Sequence, residues 1–250
     1  MKAVLLSAGY GTRLMPLTSK LPKCLVPIHK IPLLHIWITR LLQHGVTEII
    51  INSHYKSEMV REFIKNQSYV KKIHIVYEDL LLGTAGTILS LSSELNKENF
   101  FVFHSDNISF IDFDNFLKSH LDRDIGCIAS MAAFETDSPS TCGIIEMNEK
   151  NVLTSFVEKP EKSTLKRANS ASFIFQPDIF IELQAIAEMK NSALDISLDL
   201  IPRLIGKMNV YEFSEYHRDI GNLASLEKAH ADIPSTELLR KLKGNTDERT

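Results

Sequence analysis

Three stretches of this chain carry residue types that handle phosphate. The apolar run Val4-Leu5-Leu6 leads into Ser7-Ala8-Gly9-Tyr10-Gly11-Thr12-Arg13, and Lys20 and Lys23 follow shortly after. Small residues at Ala8, Gly9 and Gly11 let the backbone pass close to a ligand and take positive φ, so that successive N–H groups can face an anion. Arg13 adds a planar, permanently charged fork and Lys23 a mobile point charge. Alone, the loop says little. Leu14 stands where the dinucleotide pattern G-x-G-x-x-G needs its last glycine, and the G-K-[ST] ending of a P-loop is missing. Two glycines beside solvated cations also describe an ordinary surface turn. The other two stretches set charged groups at strand ends: the apolar run at 100–103 delivers His104-Ser105-Asp106-Asn107, and the strand of a hairpin at 152–157 delivers Glu158-Lys159-Pro160. An aspartate after a strand is most often a turn or cap residue, and a lone Glu-Lys-Pro is commonly surface.

Together, Gly9-Tyr10-Gly11-Thr12-Arg13 and Pro22-Lys23-Cys24-Leu25-Val26-Pro27, placed directly after an N-terminal strand, resemble the signature of the sugar-1-phosphate nucleotidyltransferases, the nucleotide-sugar pyrophosphorylases. The resemblance covers about residues 1–230. It implies that Arg13 and Lys23 hold a nucleoside triphosphate on a loop formed by Ala8, Gly9, Gly11 and Thr12. Glu78 and Leu82-Gly83-Thr84-Ala85-Gly86 would hold the base, with Gly83 letting it lie close to the backbone. Lys159 would grip the phosphate of a sugar 1-phosphate, Glu158 its hydroxyls, and Asn169 the sugar. Asp106 and Asp219, the latter in Arg218-Asp219-Ile220-Gly221, match the family's two metal-binding aspartates, and the implied cofactor is Mg²⁺. Three positions depart from the pattern. Cys24 replaces a second proline and touches only loop stiffness. Ser105 replaces the glycine before the metal-binding aspartate, a small change. Ala171 replaces a glycine beside the sugar, and its methyl group reshapes that pocket.

The reaction so implied is in-line attack of a sugar phosphate oxygen on the α-phosphorus of a nucleoside triphosphate, expelling pyrophosphate. Two unit charges ~4 Å apart repel by about 4 kcal/mol at an effective dielectric of 20, so cations must accompany the two anions. The Leu82–Gly86 wording leans toward guanylyltransferases acting on mannose- or heptose-type 1-phosphate, in the service of polysaccharide biosynthesis. A thymidylyl- or uridylyltransferase is the alternative. A catalytically silent regulatory binder of the same fold would be expected to lose the charged loop or an aspartate, whereas this chain keeps Arg13, Lys23, Asp106, Lys159 and Asp219. A dehydrogenase would need the glycine fingerprint that is missing.

The elements that must position these residues alternate. A strand ending at Leu6 is followed by a helix from Pro32 to Gly45, with Leu34, Trp37, Ile38, Leu41 and Leu42 on one face. A strand at 47–52, a helix capped by Ser57 and a strand at 73–77 come next. Strand alternating with helix predicts an α/β fold: a mostly parallel central sheet with helices on both faces, Rossmann-like, whose crevice lies at the carboxyl ends of the strands. Further on, the pattern predicts a helix capped by Asp112, a strand over 125–134, a hairpin over 142–157, a strand over 169–175 and helices at 177–188 and 195–205, the second broken by Pro202. A strand at 208–213 follows. These later strands are expected to form a small β-rich part, which the resemblance implies binds the sugar. The reading is one domain over 1–230, with nucleotide and sugar-phosphate halves at 1–135 and 136–230, and a C-terminal helix and polar tail over 231–250.

Bulk properties narrow the setting. A net charge of -3 over 250 residues gives no electrostatic case for nucleic acid or an anionic membrane. Three cysteines without C-x-x-C spacing argue against a disulfide framework or structural zinc. With no leader pattern and no apolar run of membrane length, the expectation is a cytoplasmic protein. An apolar surplus on its helices is compatible with a homodimer.

Overall fold

Successive residues of β1 (Lys2–Leu6) point to opposite faces of a sheet, and both faces are covered: Ala3 and Leu5 join one apolar cluster, Val4 and Leu6 another. The computed structural model describes residues 1–243. After α1 (Leu17–Lys20), β2 (Pro27–Ile28) and β3 (Ile31–Pro32) come α2 (Leu33–Gln43), β4 (Glu48–Ser53), α3 (Ser57–Lys65) and β5 (Ile73–Tyr77). Next are α4 (Thr84–Ser90), α5 (Ser92–Leu95), β6 (Phe100–His104), β7 (Asn107–Ser109), α6 (Phe113–Leu121) and β8 (Ala129–Glu135). The hairpin β9 (Gly143–Met147) and β10 (Leu153–Glu158), then β11 (Arg167–Phe175), α7 (Ile179–Met189), β12 (Met208–Glu212) and β13 (His217–Asp219), lead to α8 (Leu223–Asp232) and α9 (Ser235–Lys243).

The main sheet runs β10-β9-β11-β6-β1-β4-β5, with β8 beside β11 and β12 beside β8. β5, β4, β1 and β6 are parallel, and β1 lies between β4 and β6. The strand order therefore reverses at β1, where an open α/β sheet leaves its ligand crevice. β11 is antiparallel to β6, β8 and β9, and its register shifts between Asn169 and Phe173. α2, α3 and α6 cover the face holding Leu5, Ile51 and Phe103, while α4 and α7 cover the face holding Val4, Ile50 and Val102.

Several boundaries differ from the sequence expectation, each for a local reason. The strand expected from position 125 starts at Ala129, because Cys127 N–H donates to the Asp124 carbonyl and Arg123 closes the turn on the Cys127 carbonyl, leaving Ile125 in solvent. The helix expected over 195–205 is a π-turn at Ile196–Leu200 passing into a 3₁₀ turn at Ile201–Leu204, with Pro202 at the join. Ser57 does not cap α3 with its side chain; Lys56, with φ 51°, is the capping residue. At the C-terminus, Ile233 and Leu238 are buried with Leu14, Val26 and Ile28, so α8 and α9 brace the segment that carries Lys23. The polar tail expected beyond lies outside the described residues.

Beneath β8 the fully buried His120 makes one hydrogen bond, Nδ1 to Ser130 Oγ at 2.8 Å, and its Nε2 has no partner. Burial and nearby Arg123 push its pKa down to about 3. The unfolded chain protonates this group below about pH 6.5, which the folded chain resists, so stability falls as pH drops from 6.5 toward 3, by up to about 1.4 kcal/mol per unit, and is unaffected above. Denaturant unfolding at pH 7.5 and 5.5 should show His120→Gln losing about 1 kcal/mol less than the wild type on acidification; equal losses would contradict this.

Candidate active site

The phosphate-facing loop is set by its neighbours before any ligand arrives. Ser7 N–H donates to Asn52 Oδ1 at 2.7 Å, and the Ser7 and Ser105 hydroxyls lie 2.8 Å apart, tying the ends of β1, β4 and β6 together. Gly11 has φ 64°, and a Cβ there would lie 2.9 Å from Thr18 Cγ2 and 3.0 Å from Lys23 Cβ. Glycine is thus required for the loop to fold back over the lysine. Gly9 has open space around it; Thr12 and Arg13 are exposed. Cys24 is fully buried, and burial pushes its thiol up to about 12, an inert core residue.

Two cavities open along the carboxyl edge of the sheet. The first, about 230 Å³, has Ala8, Gly9, Glu78, Gly83 and Thr84 on its walls. The second, about 330 Å³, brings together Arg13, Glu158, Lys159, Asn169 and Asp219. His104 and Asp106 line both, so Asp106 stands at their junction. Arg13, expected beside a triphosphate, lines the second cavity. Lys23 lies behind the walls, 8% exposed, with Nζ 2.6 Å from Asp106 Oδ2 and 3.6 Å from Asp219 Oδ1.

β7 and β13 bring the two aspartates together by pairing Asn107 with Asp219, and Ile220 N–H donates to the Asp106 carbonyl at 3.0 Å. α2 holds this small sheet: Trp37 Nε1 donates to the Asn107 carbonyl at 2.8 Å, and buried Arg40 donates to the carbonyls of Ser109 and Ile111. Gly221 leaves room for the Asp219 carboxylate, whose Oδ2 lies 2.6 Å from where a Cβ would be. The two carboxyls are pushed apart electrostatically. Burial opposes charge on Asp106, but Lys23 and His104 outweigh it and hold that carboxyl below its usual range. Burial, reinforced by Asp106, raises Asp219.

Glu78 is held from three sides: Oε1 accepts from Asn52 Nδ2 at 2.9 Å and Thr87 Oγ1 at 2.6 Å, and Oε2 from Leu82 N–H at 3.3 Å. Its carboxylate shapes the 78–87 loop from within. Gly83, at φ 80° and ψ 167°, has the Leu194 backbone against it. The glycine is thus required by a chain crossing as well as by cavity access. Asn52, Thr87, His104, His217 and Asp195 were not selected from the sequence. Asn52 ends an apolar strand run with an amide, the one local signal that could have marked it. His217 packs on Phe134 at 4.4 Å, and burial and Arg218 push it down to about 3, so it is neutral.

Asn169 Oδ1 accepts from Ala171 N–H at 2.8 Å, and Ala171, with φ 54°, is left-handed at the irregularity in β11 and lines the second cavity. A residue with a Cβ pays roughly 1–2 kcal/mol for that conformation. Ala171→Gly should therefore raise stability by up to about 1 kcal/mol, after the glycine's own entropy loss, while widening the cavity and changing the KM for its ligand. Thermal melts and substrate titration check both; a drop in stability would contradict the strain.

An open, mostly parallel sheet leaves a crevice at its switch point that runs on into a second cavity, with a lysine and two aspartates near the join. The chain belongs to the nucleotidyl transferase family, whose sequence pattern matches residues 2–236. Among its relatives is Mannose-1-phosphate guanyltransferase 2 of Candida glabrata, 31% identical over 94% of this chain and 68% of that protein. Mannose-1-phosphate guanyltransferase of Saccharomyces cerevisiae is 32% identical over 85% of this chain and 58% of that one. In structure the chain is similar to HddC from Yersinia pseudotuberculosis, at TM-score 0.76 and 25% identity over 92% of this chain and 98% of that chain. A putative glucose-1-phosphate thymidylyltransferase from Bacillus anthracis shares the fold at TM-score 0.79 and 21% identity, over 97% and 99% of the two chains.

Proposed function

We propose that this chain joins GTP and a mannose- or heptose-type sugar 1-phosphate into a nucleotide sugar, releasing pyrophosphate. The observation that carries the reading is the meeting of the two cavities at Asp106, with Lys23 and Asp219 against it. The first cavity takes the nucleotide, its base between Gly83 and Leu81. The second takes the sugar phosphate, with Lys159 and Arg13 as counter-charges and Glu158 and Asn169 toward hydroxyls. A sugar phosphate oxygen then attacks the α-phosphorus in line; the new P–O bond forms as the bond to the β-phosphate oxygen breaks, and pyrophosphate leaves. No covalent nucleophile on the protein is needed. Positioning and electrostatic stabilisation supply the acceleration, and loss of one such group typically costs on the order of 10²–10³ in rate.

Asp106 and Asp219 fit Mg²⁺, a hard cation that takes one or two carboxylates plus substrate phosphates. The donor set consists of two carboxylates converging on one lysine, Nζ 2.6 Å from Asp106 Oδ2 and 3.6 Å from Asp219 Oδ1, so a single cation faces two anionic groups. Bound there, Mg²⁺ would offset charge on the α-phosphate and the leaving pyrophosphate. Lys23 holds the two carboxylates in place. Free Cys24, Cys127 and Cys142 support a reducing, cytoplasmic setting, and among the described residues no helix is long and apolar enough to cross a membrane.

Pyrophosphate release tests the reading, with GTP, dTTP, UTP, CTP and ATP each paired with a panel of sugar 1-phosphates. Release that needs GTP and a mannose- or heptose-type 1-phosphate is expected. A preference for dTTP or UTP would overturn the choice of base, and silence across the panel would overturn the reaction.

A further inference from the structure

We propose that Thr84 and Asp195 are positioning residues through which the nucleotide loop sets the shape of the sugar-phosphate cavity, an inference that rests on the reaction assigned above. Thr84 opens α4 and lines the first cavity; Asp195, Ser197 and Leu198 line the second. The side chains of Thr84 and Asp195 join the two walls. Thr84 Oγ1 donates to Asp195 Oδ2 at 3.1 Å and accepts from Ile196 N–H at 2.7 Å. The other oxygen of the same carboxylate, Oδ1, accepts from Ser197 N–H at 2.8 Å and Leu198 N–H at 3.0 Å. One lobe of Asp195 thus faces the nucleotide loop and the other fixes the backbone of the sugar-side wall.

The backbone beneath them is joined as well. Ala85 N–H donates to the Leu194 carbonyl at 2.9 Å, and Leu194 N–H donates to the Leu82 carbonyl at 2.9 Å. Asp199, itself paired with Lys190 at 2.7 Å, accepts from Asp195 N–H at 2.7 Å. The crossing at Leu194 keeps the two segments together when the Thr84 hydroxyl is removed. What the hydroxyl controls is the start of the π-turn that carries Ser197 and Leu198. Without it, Ile196 N–H and one lobe of Asp195 lose their partner, and these part-buried groups must shift to find another.

This arrangement makes an unusual prediction: a residue on the nucleotide wall has its main effect on the other substrate. With GTP and mannose 1-phosphate, Thr84→Val should raise KM for the sugar phosphate about 10-fold, a larger change than the one it makes in KM for GTP on its own wall. Thr84→Ser, which keeps the hydroxyl, should restore the wild-type value. Asp195→Asn can still accept from Ser197 and Leu198 but places an amide against Thr84, and should reproduce the sugar-side shift. Circular dichroism and thermal melts confirm that each variant is folded. A change in Thr84→Val confined to GTP, no change in either KM, or failure of Thr84→Ser to restore the wild type would overturn the proposal. Absence of turnover in the wild type would instead overturn the reaction, and the inference with it.

Discussion

Asp219→Asn should abolish most turnover, by about 10³-fold, and leave the protein as stable as the wild type or more so. The two halves of this result have different causes. Asp219 lines the second cavity beside Asp106, and in the proposed reaction it serves the transferring phosphate. Its side chain is 57% exposed, so water carries most of its charge, and a neutral amide there relieves the repulsion from Asp106 at little cost to the fold. Lys23 keeps its 2.6 Å partner. Asp106→Asn should lose a similar share of turnover but should also cost about 1–3 kcal/mol of stability, because the buried lysine then keeps only the more distant carboxylate. Steady-state rates and denaturant melts on the two variants separate these effects. Near-normal turnover in either variant, or a larger stability loss in Asp219→Asn than in Asp106→Asn, would contradict the assignment. Function and stability would then pull apart at Asp219, as expected of a group kept for chemistry.

Gly83→Ala should be the most damaging single methyl group in the first cavity. The backbone at φ 80°, ψ 167° lies in a region open essentially to glycine alone, at about 1–3 kcal/mol for other residues. The added Cβ would also lie 2.3 Å from the Leu194 carbonyl oxygen, a backbone atom that cannot swing aside. Either the crossing at Leu194 opens or the loop moves, and both disturb the wall that Gly83 and Thr84 give the first cavity. The expected result is a destabilisation of about 2–4 kcal/mol with weakened triphosphate binding, read by melts and by calorimetric titration with GTP. Wild-type stability and affinity would show that the loop does not depend on that crossing. Gly9→Ala is the control for the melts alone, since nothing lies within 4 Å of its Cβ position.

The alternation of buried strand and amphipathic helix from Val4 to Tyr77 made the parallel half of the sheet legible, because each segment had its own period and its own stop signal. The reversed direction of β11 was not, since a strand's partner depends on residues far away in the chain. The irregular start of the 195–205 segment also escaped, because Asp195 caps it and is itself capped by Thr84, from a loop more than a hundred positions earlier. Charged residues at strand ends were readable as a set because the topology delivers strand ends to one edge. Their division between two cavities follows the resemblance for Glu78 on one side and Glu158 and Lys159 on the other, but not for Arg13. Arg13 follows the phosphate loop in sequence but lies across the crevice, on the sugar side, in space. Glu78 was visible as an acid at a strand end; its bonds to Asn52, Thr87 and Leu82, made inside the fold, were not.

If one displacement joins the occupants of the two cavities at Asp106, phosphorus NMR of the purified protein with GTP, mannose 1-phosphate and Mg²⁺ should follow it. The sugar monoester signal should be replaced, one for one, by a diphosphate diester pair and free pyrophosphate, with no change when either substrate is left out. Consumption of GTP without the sugar phosphate, or persistence of the monoester while GTP is hydrolysed, would contradict the account.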